Sequence, residues 1–312
     1  MEWQKLGLIW APTGEVEWAQ THATLPVVQT LPNDRWWVYV SCRDAHGKSR
    51  IGRLTLDVSG LPDSLPRVIH FEPTPVLSLG APGTFDDSGV MPAWIVKDGD
   101  QVRLYYVGWN VLSTVPYRQA IGLAVSDDGG QTFRRYSQGP VIDRSVREPF
   151  FATSPCVHVE DGLWRMWYVS CTGWEQILSR WEPAYHVKYA ESQDGVDWNI
   201  TGISCLDAGE GIAVARPCVF RDGEKYCMLY PYRSLQQYRT DPDQAYKLGL
   251  AESSDGIQWE RRDDLVGITR SATGWDSEML AYGWLHRHRE GTYLLYNGNG
   301  FGQSGVGMAR LR

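Results

Sequence analysis

The sequence lacks several features that would each place it in another class of protein. Of its 312 residues, 30 are Lys or Arg and 37 are Asp or Glu, which gives a net charge of −7. Proteins that bind nucleic acid present a basic surface, so this balance argues against such a partner. No apolar run approaches the roughly 18–20 residues that span a bilayer. The start Met-Glu-Trp-Gln-Lys also lacks the basic-then-apolar order of a signal peptide. We therefore expect a soluble cytoplasmic protein that binds neither nucleic acid nor membranes.

Cysteine pairs and amphipathic helices are also missing. The six cysteines form no Cys-x-x-Cys pair, and none is followed by His at zinc spacing. We expect them to be small buried hydrophobic side chains in a reducing compartment, and we expect no metal site and no cofactor. No segment shows a convincing helical period of apolar residues, which leaves strands as the building elements.

A sequence unit occurs five times along the chain. Each copy has an apolar run, an Asp-Gly-type turn, an aromatic run, a long connection and a further strand. In the complete copies this strand ends in a Ser-x-Asp-Gly turn. The runs are short, β-branched or aromatic, and bounded by Gly, Asp and Pro, as strands are. The equivalent strands begin at Ile51, Ile121, Val187, Leu248 and Val306.

Four antiparallel strands repeated five times predict an all-β fold, a five-bladed β-propeller in which residues 1–312 form a single domain. An array of separate β-sandwiches is the alternative, but the units are too short for it. The last copy stops after its third strand, at Arg312. The strand-like segment Trp3–Trp10 is predicted to supply the fourth strand, so that the ring has no exposed edge.

The two faces of the predicted propeller differ in the length of their connections. The connections between second and third strands are long and rich in aromatic residues, which favours this face for a binding site. The other face carries Ser126–Phe133, which has the form of the Asp-box seen in sialidases, and two shorter copies. We interpret the aspartates of these turns as turn caps rather than catalytic groups. The long connections cover residues 109–120, 171–186, 232–247 and 297–305.

The pattern Pro-x-Val, Asp-Gly, Tyr-x-x-Tyr and Ile-Gly-x-Ala-x-Ser-x-Asp-Gly-x-x-Trp resembles that of the five-bladed propeller glycoside hydrolases, broadly families 32, 43, 68 and 130. The resemblance covers almost the whole chain. It implies a sugar ligand, held at the channel mouth by carboxylates that project from the starts of the inner strands. Pro26, Pro92, Pro155, Pro217 and Ala281 are aligned as equivalent positions of the five first strands. The acidic residues that the resemblance implies just before these positions are displaced or missing.

Candidate carboxyl groups lie near these strand starts. Glycoside hydrolysis uses one protonated and one ionised carboxyl group. Asp87 is the best candidate for the base or nucleophile, with a loop cap as the alternative. Glu278 immediately precedes an apolar run, and Asp276 beside it is a candidate for substrate binding. Glu148 is the third catalytic candidate, and a structural ion pair with a nearby arginine is its alternative.

Candidate binding residues complete the predicted site. Arg216, at the start of an inner strand, is expected to hold a carboxylate, a phosphate or a pair of sugar hydroxyls. His22 is a candidate acid or hydrogen-bond donor. Trp109 and Trp174 lie in the long connections, where aromatic faces can stack on sugars. Weaker candidates at matching places are Tyr232, Arg233 and Asn297.

These observations predict a glycosidase-like enzyme that acts on a sugar, glycoside or nucleotide-sugar, with Asp87 and Glu278 as the acid–base pair. Two alternatives stay open. The displaced acids favour a carbohydrate-binding protein, or an accessory of polysaccharide assembly, that keeps the fold without hydrolysis. A phosphorylase, or an enzyme of a specialised pathway, would instead use Arg216 to bind phosphate.

Overall fold

The computed structural model describes residues 1–207 and 209–312, and strands make up most of them. This confirms the all-β prediction. The strands of the described residues form four hydrogen-bonded sheets. The largest sheet contains two antiparallel groups, joined by a single parallel residue pair between Ser49 and Gly89. We call the five antiparallel groups units 1 to 5, in the order of their first strands.

The strands follow one another along the chain in the order that the repeat predicts. Strand β1 (Trp3–Trp10) comes first and belongs to unit 5. Unit 1 contains β2 (Thr21–Leu31), β3 (Arg35–Arg43), β4 (Ser49–Asp57) and β5 (Arg67–Phe71). Unit 2 contains β6 (Gly89–Asp98), β7 (Gln101–Val111), β8 (Tyr117–Ser126) and β9 (Arg134–Arg135).

The remaining units have the same antiparallel order, with irregularities at their ends. Unit 3 contains β10 (Ala152–Glu160), β11 (Leu163–Ile177), β12 (Arg180–Ser192) and β13 (Asn199–Leu206). Unit 4 contains β14 (Ile212–Val214), β15 (Cys218–Asp222), β16 (Lys225–Ser234), β17 (Lys247–Ser253), β18 (Glu260–Arg261) and the 3₁₀ turn Asp263–Leu265. Unit 5 contains β19 (Ala281–His288), β20 (Gly291–Asn297), the short helical turn Asn299–Gly302 and β21 (Val306–Leu311).

The first strand of the chain completes the last unit. Trp3 pairs with Leu311, and Trp10 pairs with Val306 in an antiparallel ladder between β1 and β21. The indole N–H of Trp3 also donates to the carbonyl of Val266, 2.9 Å away. The predicted role of the N-terminal strand is therefore confirmed, because β1 covers the edge that β21 would otherwise expose.

The units pack through their first strands and through their turns. Strand β2 contacts β6 and β19, and β10 contacts β6. An aromatic donor in the middle of a second strand reaches the turn of the next unit: the hydroxyl of Tyr39 donates to the carbonyl of Gly130, and that of Tyr105 to the carbonyl of Gly195. The hydrophobic core draws residues from every unit.

The Ser-x-Asp-Gly turns are held by their own side chains. The carboxylate of Asp128 accepts hydrogen bonds from the Ser126 hydroxyl and from two backbone N–H groups. Asp194 and Asp255 make the same set of contacts in the two shorter turns. These contacts confirm the interpretation of the aspartates as turn caps.

The long connection in unit 3 differs from its prediction. Residues 171–186 continue β11 and β12 as a paired hairpin, in which Ile177 faces Arg180, rather than forming a loop. A register shift between Cys171 and Gly173 lets the pairing continue past the core. The six cysteines are buried and unpaired, as expected. Among the described residues, no helix is long and apolar enough to cross a membrane.

Candidate functional site

A cavity of about 350 Å³ lies where the first strands of the units begin. Its volume falls in the range of roughly 300–1,000 Å³ that is usual for small-molecule sites. All five units contribute to its wall, and many of the contributing residues lie in the predicted long connections. The wall consists of Leu25, Arg43, Gly47, Ser49, Met91, Trp109, Tyr117, Gln119, Thr153, Ser154, Val169, Tyr185, Ala215, Arg233, Tyr238, Arg239, Tyr246, Tyr282 and Phe301.

Three wall residues occupy the same place in their units and have the same unusual backbone. Leu25, Ser154 and Tyr282 have φ values of 53°, 47° and 54°. Such a conformation is uncommon outside glycine and often occurs at functional sites. The equivalence corrects the alignment of the fifth strand, because Gly283, two residues after Ala281, stands where the other units have proline.

A side chain of unit 5 stabilises the backbone conformation of Leu25. The side-chain oxygen of Asn297 accepts the N–H of Leu25 at 2.9 Å, and its amide nitrogen donates to the carbonyl of Ala23. Asn297 itself is fully buried. This residue, a weaker binding candidate from the sequence, joins units 1 and 5 and is absent from the cavity wall.

Three arginines give the wall a positive charge. Arg239 forms an ion pair with Glu182, with N–O distances of 2.8 and 3.1 Å. Arg233 is 2% exposed and lies 3.7 Å from the ring centre of Tyr238. The side chain of Arg43 makes no hydrogen bond or ion pair with any described residue, and burial lowers its pKa. An arginine stays protonated despite such a shift.

Five tyrosines surround the arginines. The hydroxyls of Tyr117 and Tyr185 lie 3.1 Å apart, and the hydroxyl of Tyr246 accepts the Nε–H of Arg233 at 3.3 Å. Burial raises the pKa of Tyr117 to about 12 and raises the pKa values of Tyr185 and Tyr282 further. These side chains are therefore neutral phenols at physiological pH and can donate hydrogen bonds.

Trp109 is fixed at the contact between units 1 and 2. Its indole N–H donates to the hydroxyl of Ser49 at 2.8 Å, and both residues line the cavity. A Cβ atom on Gly89 would lie 2.0 Å from the indole nitrogen, so only glycine permits this approach. Trp109, a binding candidate from the sequence, thus lies on the wall of this cavity.

No carboxylate belongs to the cavity wall among the described residues. Glu182 lies behind it, where its oxygens accept the hydroxyl of Tyr238 and the guanidinium of Arg239. Glu182 also lines a second cavity of about 510 Å³, which shares Tyr117 and Arg239 with the first. Burial acts to raise the pKa of Glu182, but its hydrogen bonds with Arg239 and Tyr238 and the charges of Arg239 and Arg233 keep this pKa low.

Two of the predicted acids belong instead to a repeated cluster, whose carboxylate is buried in units 2, 3 and 5 and half-buried in unit 4. In units 2 to 5, a tyrosine at the same place on the second strand donates to a carboxylate, which also contacts a cation. Glu148 accepts the hydroxyls of Tyr168 and Ser170, and the ammonium of Lys188 lies 3.0 Å away. The four clusters are Tyr106–Asp86–Arg135, Tyr168–Glu148–Lys188, Tyr230–Asp263–Arg261 and Tyr296–Asp276–Lys5.

These clusters account for Glu148 and Asp276 without a ligand. Glu148 is 0% exposed, and Asp276 is buried between the hydroxyl of Tyr296 and the ammonium of Lys5. The structural ion pair weighed for Glu148 is present, with Lys188 as the partner rather than an arginine. Neither carboxylate touches the cavity wall described above.

Asp87 and Glu278 lie outside the wall and differ from each other. The oxygens of Asp87 accept the Gly83 N–H, the Ser88 hydroxyl and the Asn110 amide, at 2.7–2.9 Å. Burial alone would raise the pKa of Asp87, but these hydrogen bonds lower it. The carboxylate of Glu278 is exposed and makes no hydrogen bond with the described residues, while its backbone N–H donates to Asn299.

Arg216 lies beneath the wall rather than on it. The side chain is 1% exposed. Its guanidinium donates to the carbonyls of Tyr282, Pro26 and Ala93, at 2.8–3.2 Å, and so connects the first strands of three units. Burial lowers the pKa of Arg216 to about 10. The predicted ligand contact is replaced here by contacts with three backbone carbonyls.

The other predicted binding residues, His22, Trp174 and Tyr232, do not belong to the cavity wall. His22 has a pKa lowered to about 4, by burial and by the charge of Arg43. It is therefore neutral at pH 7 and does not supply an acid. Trp174 packs on the rings of Tyr117 and Phe151 behind the wall. Tyr232 packs beneath the guanidinium of Arg261, away from the cavity.

Sequence reasoning missed Arg43 and gave Arg233 little weight, although the repeat contains a signal for both. Each lies four residues after the core position of the second strand, Tyr39 in unit 1 and Leu229 in unit 4. Trp109 holds the same place in unit 2. Aligning second strands instead of first strands brings these three wall residues together.

Comparison with known proteins gives a family but no activity. No family model matches the chain. Two Mycobacterium tuberculosis proteins are 37% identical over 315 residues, which covers 100% of this chain and 99% of theirs. They are uncharacterized protein MT1551, of strain CDC 1551 / Oshkosh, and uncharacterized protein Rv1502, of strain ATCC 25618 / H37Rv. The chain belongs to their family.

Solved glycoside hydrolase structures share its fold. A glycosyl hydrolase from Bacteroides ovatus matches with a TM-score of 0.72 and 18% identity, over 99% of this chain and 92% of that one. A second structure, described as a glycoside hydrolase, matches with a TM-score of 0.74 and 17% identity, over 99% and 91%. A thermostable family-43 glycoside hydrolase gives 0.65 and 15%, over 96% and 92%. The resemblance to the propeller glycoside hydrolases is thus confirmed at the level of the fold.

Proposed function

We propose that this protein binds a carbohydrate or glycoside in the cavity at the start of the first strands. The observation that carries the proposal is the composition of the wall, in which Trp109 and five tyrosines stand beside Ser49 and Gln119. Aromatic rings pack on the apolar faces of flat ligands, and polar groups among them orient the ligand. We further propose that the five units are the blades of one propeller domain over residues 1–312.

We propose that recognition, rather than hydrolysis by a carboxylate pair, is the main function. Hydrolysis by the usual route requires two carboxyl groups at the ligand. The described part of the cavity wall has none, and the oxygens of Asp87 are occupied by three donors. This favours the carbohydrate-binding alternative over the acid–base pair of Asp87 and Glu278.

A glycan array probed with the labelled full-length chain tests the proposal. We expect retention on a defined subset of glycans and at least a tenfold loss for Trp109→Ala, because the variant removes an aromatic face of the wall. Tyr136→Ala, which changes an exposed aromatic residue outside the wall, serves as the matched control and should bind normally. If the wild type is retained on no glycan, the proposed function is wrong.

Hydrolysis remains a second candidate because the carboxylate of Glu278 is exposed and has no partner among the described residues. The next residue, Met279, accepts the N–H of Phe301 through its sulfur, and Phe301 lines the cavity. Incubating a retained glycan with the protein, followed by product analysis, tests this candidate. Turnover that disappears in both Asp87→Asn and Glu278→Gln would support hydrolysis over recognition alone.

We also propose a cytoplasmic location and a small-molecule partner. Six unpaired cysteines suit a reducing compartment. The net charge of −7 is unfavourable for binding to nucleic acid. Fractionation of cells that express the chain at native level, followed by immunoblotting, tests the location.

A further inference from the structure

The charges around the cavity do not balance. Arg239 has a carboxylate partner in Glu182. Arg43 and Arg233 have none within 4 Å among the described residues, and no acid belongs to the described wall itself. The chain as a whole has a net charge of −7, so this positive region stands against the overall sign. Two cations without a carboxylate in direct contact thus face one cavity.

Arg233 is a buried charge that has no carboxylate in direct contact among the described residues, and Glu182 acts on it only from a distance. Its guanidinium donates to the carbonyls of Ser234 and Pro183, at 3.0 and 2.9 Å, and to the hydroxyl of Tyr246. These contacts use three of the five N–H donors that an arginine carries. Burying an unpaired charge is costly, and an anion beside it would offset part of that cost. The side chain is therefore arranged for a negatively charged neighbour.

Arg43 lies close enough to the other wall residues for its charge to act on theirs. The charge of Arg239 helps to lower the pKa of Arg43, and Arg43 in turn acts on Tyr282. The Arg43 guanidinium keeps all of its donors free, since no described residue bonds to it. Like charges brought together in this way favour a shared anionic ligand.

Neutral donors accompany the two cations. The hydroxyl of Tyr282 makes no hydrogen bond with a described residue, and it lines the same cavity. The Tyr246 hydroxyl accepts from Arg233, so its own proton is available to a ligand oxygen. Guanidinium groups only donate, and each phenol can donate its proton, so together they suit the oxygen atoms of an anion.

We propose that the ligand of this cavity is a sugar that carries an anionic oxygen group, either a carboxylate or a phosphate, held by Arg43, Arg233 and the hydroxyl of Tyr282. The inference rests on the proposed carbohydrate function and specifies its ligand class. The aromatic side, around Trp109, contacts the sugar ring, and the arginine side contacts the charged group.

The test compares charged and neutral glycans on one array that contains uronic-acid-bearing, phosphorylated and unmodified members of the same sugars. We expect retention to favour the charged members by at least tenfold. Arg43→Gln should remove most of that preference, and Tyr282→Phe should reduce it. The matched control is Arg67→Gln, because Arg67 is 77% exposed in an ion pair with Asp57, outside the wall. Retention of the uronic-acid-bearing members compared with the phosphorylated members separates the two sources, and inorganic phosphate should displace both if the arginines hold the charged group.

The outcomes separate this inference from the function on which it rests. Retention of neutral and charged glycans to the same degree, unchanged by Arg43→Gln, would overturn the anionic ligand and leave carbohydrate binding intact. Retention of no glycan by the wild type would overturn the proposed function itself. Arg43→Lys guards against misfolding as a cause, because it keeps the charge and should retain part of the preference.

Discussion

Two regions of this protein treat ionisable side chains in opposite ways. In the clusters of units 2 to 5, each carboxylate accepts a tyrosine hydroxyl and contacts a cation, as Glu148 does with Tyr168 and Lys188. In the cavity wall, Arg43 and Arg233 have no carboxylate partner among the described residues. The charged groups of the clusters have their partners within the protein. These two arginines of the cavity instead keep unused N–H donors and have no carboxylate in direct contact. The comparison shows that an acid near the start of a strand can be structural, and that unbalanced charge is the better guide to the ligand site.

The largest expected effect comes from removing the strand that completes both the last sheet and one cluster. Deletion of residues 1–11 removes β1, which pairs with β21, and the cation Lys5, which pairs with Asp276. We expect the deletion variant to lose cooperative thermal unfolding, as measured by circular dichroism. Lys5→Met removes only the cation and should destabilise the protein less. A deletion variant that melts like the full-length chain would contradict this account.

A smaller effect on stability is expected when the buried acid Glu148 is neutralised, and a much smaller one when the exposed acid Glu278 is. Glu148→Gln leaves the nearly buried ammonium of Lys188 without its counter-charge, and we expect a loss of about 3–5 kcal/mol in the free energy of unfolding. Glu278→Gln is the matched control, and a surface change of this kind should stay within about 0.5 kcal/mol. Urea denaturation measures both. If Glu148→Gln is fully stable but stops turnover of a bound glycan, the acid is catalytic instead.

The repeat made much of the fold predictable, because its turns and apolar runs carry local physical signals. The aspartates of the Ser-x-Asp-Gly turns cap their own turns, and the pairing of β1 with β21 supplies the outer strand that the last copy of the repeat lacks. The hairpin over residues 171–186 was harder to predict, because its two strands stay paired beyond the apolar runs that mark strands in the sequence.

The site was less predictable because its residues depend on register and on distant partners. Glu148 and Asp87 have the local context of site acids, and only the structure reveals the donors that occupy their oxygens. Arg216 stood at an inner-strand start, but three carbonyls from distant segments occupy its guanidinium. Tyr282 was not recognised as equivalent to Leu25 and Ser154, because its strand has glycine where the other first strands have proline.

The smallest expected effect concerns the edge of the cavity and depends on pH. His22 has a pKa of about 4 in the folded protein, below its ordinary value of 6.5, because of burial and the charge of Arg43. The unfolded chain therefore binds a proton more readily. The stability contribution is fully present above pH 6.5 and is lost as the pH falls through 4.

His22→Asn should reduce this acid sensitivity, measured as the free energy of unfolding at pH 7 and pH 4.5. Exposed His46 gives the matched variant His46→Asn, which should follow the wild type. Equal pH dependence in His22→Asn and the wild type would show that burial of this imidazole does not limit stability in acid.

A crystal structure with the most strongly retained charged glycan tests the central claim most directly. The account predicts density in the cavity, with the anionic group within hydrogen-bond distance of Arg43 and Tyr282 and the sugar ring beside Trp109. A glycan bound against Asp87 and Glu278, or on the outer surface of the units, with the arginine-lined cavity empty, would contradict it.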